Sequence, residues 1–119
     1  MISTIQKSHK LNIVKRVGDT GAGGAYHNYE VMVLGKDAHT VELSFQHGGR
    51  GLEESTTGLV NEDLLEICRD RLKCFQTGDY ACRENAIALT HIEEALMWLD
   101  KRVQDRAELN ILGTNTKGR

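Results

Sequence analysis

The hydrophobic pattern of this chain changes period part-way along. Up to about residue 58 it runs in twos. Positions 11–17 alternate loosely, Tyr29, Val31 and Val33 share one face, and Val41, Leu43 and Phe45 share another with Glu42 and Ser44 between them. Period two marks a half-buried strand, because successive side chains point to opposite sides of a pleated sheet. Gly35, Lys36 and Asp37 separate the last two runs with turn-forming residues. The links are too short for crossover helices, so a three-stranded antiparallel meander is expected. Glycine-rich stretches interrupt it at 18–24 and 48–51, and with no proline in the chain glycine alone supplies unusual backbone angles there.

From residue 61 the period becomes helical. Asn61 is the expected N-cap, with Glu62 and Asp63 in a first turn where the helix dipole favours acids. Leu64, Ile67, Cys68, Leu72 and Phe75 then mark one face. Gly78 breaks this pattern and Asp79 is placed to cap a second, longer helix. Along it Ala88, Ile92, Ala95, Leu96, Leu99 and Val103 recur at spacings of three and four. That helix is expected to run to about Leu109, after which Gly113 releases it into a polar tail. With one face used inside the hairpin, Met97 and Trp98 are left for a partner subunit or the sheet. The predicted fold is α+β, one domain, with a small antiparallel sheet over 1–58, a helical hairpin over 59–110 and a tail over 111–119.

Composition narrows the function without naming it. The 119 residues are 39% hydrophobic, 27% charged and only 5% aromatic, which describes one globular domain with a mostly aliphatic core. A chain this short buries little, and oligomerisation is a common way to add core. A net charge of −2 argues against a DNA or RNA polymer or a membrane surface as partner. No apolar run approaches a membrane span and no signal-peptide core follows Met1, so the cytoplasm is the expected compartment. Cys68, Cys74 and Cys82 are spaced six and eight apart, unlike a zinc ribbon, and are read as buried thiols. The five histidines show no ligand spacing, so neither a metal nor a cofactor is expected.

Candidate chemistry is sparse. The run Gly21, Ala22, Gly23, Gly24 invites a phosphate-cradle reading, but Tyr26 takes the place of the third glycine of a dinucleotide loop and a strand follows. A flexible inter-strand link explains the run as well. No nucleophile elbow is present, and Glu93 and Glu94 are helix neighbours about 100° apart, so they form no carboxylate dyad. Arg102 and Arg106 sit four apart and project from one side of the helix, as suits diphosphate oxygens. A solvated helix end, with Asp105 and Glu108 as partners, reads the same way. Phe75 at the hairpin elbow is either core or a stacking platform for a base. Asn85, beside an apolar stripe, either caps, faces solvent or reads a base edge.

The run from 61 to 76, the Cys-Arg-Glu-Asn segment at 82–85 and the Leu-Met-Trp-Leu segment at 96–99 resemble the phage Thoeris anti-defence family. The helical part also looks like the hairpin domain of the phage anti-CBASS sponges. Fainter echoes lie at 21–23, 27–29, 45–46 and 113–114. Members bind the glyco-cyclic ADP-ribose signals made by TIR proteins and hold them uncleaved. The resemblance implies that Phe75 stacks on adenine, that Asn85 bonds the base or ribose, and that Arg102 and Arg106 hold the diphosphate. Some members form hexamers, as trimers of dimers, and take up cyclic di- or trinucleotides at separate sites; Arg50 is the candidate contact there, in the loop 48–51 where this chain departs most from the family pattern. His47 and Gly49 depart from the family pattern, and Asn115 stands where a histidine is expected. An enzyme degrading the same signal, or an inhibitor docking on the TIR enzyme or its effector, are the alternatives.

Helix arithmetic adds a constraint. Asn85 and Arg102 are 17 residues apart. On one straight helix that is roughly 25 Å, which a nucleotide about 10 Å across does not bridge. If both touch one ligand they come from different subunits, and a two-fold dimer carries two such pockets.

Overall fold

The structure, a computed structural model, describes residues 4–7, 11–48 and 55–108, with the backbone alone of Ala22. It is α+β, as expected. β1 (Ile13–Thr20), β2 (Tyr26–Val33) and β3 (His39–Ser44) form an antiparallel sheet in sequence order, followed by α1 (Asn61–Gln76) and α2 (Arg83–Glu108). The chain up to Leu59 and the helices from Val60 form two compact units.

In the sheet, Val14 pairs with Val31 and Val31 with Val41, while Tyr29 pairs with Leu43, so the alternating apolar residues share one face. The other face is charged: Lys15, Glu30 and Glu42 lie in line, and the Lys15 ammonium is 3.6 Å from the Glu30 carboxylate. Gly35, at φ +114, takes the left-handed position in the β2–β3 turn. β1 reaches further than the alternation of 11–17 suggested. One extra residue is absorbed between Val17 and Thr20, where Gly18 has φ +79, and pairing resumes beyond that bulge.

The glycine link between β1 and β2 is a closed turn. Gly21 N–H donates to Ala25 O at 2.9 Å and Gly24 N–H to Gly21 O at 3.0 Å. Two amides that a phosphate cradle needs are thereby spent on the turn itself. Behind it the His27 and His47 rings stack at 4.3 Å, and a Cβ on residue 21 would sit 2.3 Å from His27 Nε2.

After β3 the chain returns across itself. His47 and Thr56 exchange backbone hydrogen bonds of 2.9 and 2.8 Å, and Leu59 N–H donates to Ser44 O at 3.0 Å. Gly58 lies at this crossing, where a Cβ would fall 2.6 Å from the Phe45 carbonyl carbon and 2.7 Å from Ser44 O. Backbone cannot step aside as a side chain can. Gly58→Ala is therefore expected to destabilise the sheet unit by about 1–3 kcal/mol. Urea unfolding followed by circular dichroism measures this, and an unshifted midpoint would contradict so tight a crossing.

The helices begin differently from the sequence expectation. Asn61 is the first helical residue of α1, and the cap is built on Val60: Val60 N–H donates to Asp63 Oδ2 at 2.9 Å, and Asp63 N–H to Val60 O at 3.0 Å. α2 starts at Arg83, so Asp79 lies in the turn rather than at a cap. Gln76 closes that turn. Its amide donates to Cys82 O at 3.1 Å and accepts from Cys82 N–H at 3.0 Å. Glu108 is the last described residue of α2; Leu109 and the polar tail lie outside the described residues.

Half-burial picks out the contact faces. On α1 the sheltered row includes Leu65, Arg69, Leu72 and Gln76. On α2 it is Asn85, Leu89, Ile92, Leu96, Leu99, Val103 and Arg106, stepping by four and three throughout. Ile67, Cys68 and Phe75, expected on the packed face of α1, are exposed instead. The three cysteines are exposed too, which corrects their reading as buried thiols. Among the described residues none is fully buried. No helix of the described residues is long and apolar enough to cross a membrane.

Candidate functional site

The helical hairpin carries every described candidate. Phe75 occupies the last turn of α1 and Asn85 the first turn of α2. The Gln76–Cys82 clasp lies between them, so both sit within about one turn of the elbow. Phe75 is 41% exposed, leaving ring surface open to a ligand. Asn85 is half-buried and begins the sheltered row of α2. Its side chain is one polar end of a stripe that is aliphatic from Leu89 to Val103.

Arg106 ends that same row. α2 has 26 residues and α1 has 16, a difference of ten, so in an antiparallel hairpin α2 overshoots α1 by about 15 Å. Counted back from the clasp, Asn61 comes level with about residue 98. Arg102 and Arg106 therefore lie on the overhang. Arg102 is exposed and Arg106 half-buried. Asp105 is paired with Lys101, whose ammonium is 2.9 Å from its Oδ2. Two guanidinium groups four residues apart on one helix side have the planar, forked donors that suit a diphosphate.

The two halves of the site are apart within one chain. α2 is a single helix from Arg83 to Glu108, so Asn85 and Arg102 stay about 25 Å from each other. Arg50 lies outside the described residues. No group of three or more His, Cys, Asp or Glu among the described residues is placed to hold a metal.

Sequence reasoning missed two residues at the elbow. Gln76 fixes the turn through Cys82, a pairing that no local pattern announces. Arg71 places its guanidinium carbon 5.7 Å from the Phe75 ring centroid. The signal for it was present, since residues four apart on a helix are neighbours.

The fold and site define a sheet-plus-hairpin protein whose hairpin bears an aromatic and an amide at one end and two guanidinium groups at the other. Residues 41–104, which are 64 of the 119, match the family described as "Acb2/Tad1, hairpin domain". The chain belongs to that family. Over 65 residues it is 46% identical to "Thoeris anti-defense 1" of Bacillus phage SBSphiJ7, a stretch that is 55% of this chain and 46% of that protein. The match thus spans a little under half of the relative's length. Phe75, Asn85 and Arg102 fall inside the family match, and Arg106 two residues beyond it.

Proposed function

We propose that this protein is an anti-Thoeris sponge. It binds glyco-cyclic ADP-ribose made by bacterial TIR proteins and holds it uncleaved, so that the effector downstream stays inactive. The observation that carries this reading is the hairpin itself. It belongs to an anti-defence family, and its sheltered α2 row starts at Asn85 and ends at Arg106. Phe75 stacks on adenine, Asn85 bonds the base or ribose, and Arg102 and Arg106 clamp the diphosphate. Sequestration is mass action. Nanomolar affinity corresponds to about −12 kcal/mol, and sites must outnumber the signal.

The pocket is completed by a second copy. The elbow of one protomer meets the overhang of the other, and the two-fold relation makes two pockets per dimer. Supporting this, Ile87, His91, Glu94, Trp98 and Arg102 form a continuous exposed stripe along α2 at spacings of four and three. Trp98 and Met97 are each 70% exposed, an adjacent apolar pair that a second copy could cover. Three such dimers assemble into a hexamer in the same scheme, with Arg50 serving cyclic di- or trinucleotides at a separate site.

Met97 and Trp98 also favour a second reading, in which they anchor the protein on the TIR enzyme or its effector. Filtration of a mixture with glyco-cyclic ADP-ribose separates the two. Retention of the nucleotide by the protein supports the sponge. A stable complex with the TIR enzyme or effector and no retained nucleotide supports docking.

A further inference from the structure

Arg71 and Phe75 form a unit on the outer side of α1. They are one helical turn apart, and the guanidinium carbon stands 5.7 Å from the ring centroid, within reach of a cation–π contact. Phe75 remains 41% exposed, so the arginine covers part of the ring and leaves the rest open. Arg71 makes no ion pair among the described residues. Arg69, two positions earlier, is paired with Glu66 at 2.8 Å, and Asp70 next to Arg71 points about 100° away. A cation with no ion pair among the described residues thus sits against the Phe75 ring at the elbow end of the site.

We infer that Arg71 is a positioning residue of the signal-binding site, bracing Phe75 from one side so that its open surface receives the flat base. The assignment rests on the sponge reading. The aromatic side chain of Phe75 has two rotatable bonds, and on an exposed helix surface it samples several orientations. A guanidinium held over the ring reduces that freedom before the ligand arrives, which lessens the ordering cost of binding. The charge also polarises the ring from behind, which favours contact between its far surface and an electron-rich purine.

Calorimetric titration of the full chain with glyco-cyclic ADP-ribose tests this, comparing wild type, Arg71→Ala, Arg71→Lys, Phe75→Leu and the Arg71→Ala/Phe75→Leu double variant. Arg71→Ala is expected to weaken binding about fivefold, with the unfolding temperature unchanged. Arg71→Lys restores most of the loss, because an ammonium also sits over a ring. In the Phe75→Leu background, Arg71→Ala has no further effect. Unchanged affinity in Arg71→Ala overturns the assignment, as does an equal loss with and without Phe75. Absence of binding by the wild type overturns the sponge reading and this assignment with it.

Discussion

Arg106→Ala is expected to bind glyco-cyclic ADP-ribose about 100-fold more weakly than the wild type while keeping its helical circular dichroism. The size follows from the charge-assisted bonds that a guanidinium makes to phosphate oxygens. Truncating one partner of a desolvated, hydrogen-bonded charge pair costs about 2–5 kcal/mol, because the remaining charge is left uncompensated. The fold should tolerate the change. Arg106 lies in the last described turns of α2, and loss of a cation near a helix C-terminus costs about 1 kcal/mol or less. Isothermal titration gives the affinity and thermal unfolding checks the fold. An affinity equal to that of the wild type would remove Arg106 from the pocket.

A mixture of two weakened variants is expected to regain tight sites that neither has alone. In the proposed pocket, Phe75→Ala would remove the elbow half and Arg106→Ala the overhang half. In a heterodimer of the two, one pocket carries both lesions and the other carries none. Random assortment of equal amounts gives half heterodimers, so about a quarter of the wild-type number of tight sites reappears. The expectation comes from α2 being one continuous helix, which keeps the two halves some 25 Å apart in a single protomer. Unfolding and refolding the variants together, then counting tight sites by titration, makes the measurement. No recovery would place all contacts within one subunit and contradict the helix arithmetic.

Much of this architecture is legible in the sequence because two periods are cleanly separated. The strands show themselves through alternation, and Val14, Val31 and Val41 do line up across the sheet. The long helix shows itself through its stripe of aliphatic residues. What misleads is α1, which has apolar residues on two sides. Ile67, Cys68 and Phe75 compete in the pattern with Leu65 and Leu72, and spacing alone does not say which row meets α2. The structure assigns shelter to the second row and leaves the first outside, together with all three cysteines. The helix starts differ from the sequence expectation for a related reason. Asn61 has good capping chemistry, but Asp63 reaching back to Val60 N–H satisfies the end one residue earlier. The elbow depends on Gln76 gripping the backbone of Cys82, six residues away, which no residue preference encodes.

The chemistry of the site was less legible than its scaffold. Arg102 and Arg106 can be found by their spacing, yet only the unequal lengths of α1 and α2 put them on an overhang. Phe75 is ambiguous as a residue type, and only the structure shows that it is 41% exposed rather than packed in a core. The glycine run at 21–24 drew attention for phosphate binding, but its Gly21 and Gly24 amides close a turn backed by His27 and His47.

The most direct test of the central claim is to recover the ligand. Purified protein is mixed with glyco-cyclic ADP-ribose and filtered to remove what is unbound. The retained protein is then denatured by heat, and the released nucleotide is identified by mass and chromatography. The account predicts intact glyco-cyclic ADP-ribose in the released fraction, at about one molecule per protomer as two pockets per dimer require. Cleaved nucleotide in either fraction would contradict it and make the protein an enzyme. Intact nucleotide found only in the filtrate would contradict it equally, by showing that this signal is not bound.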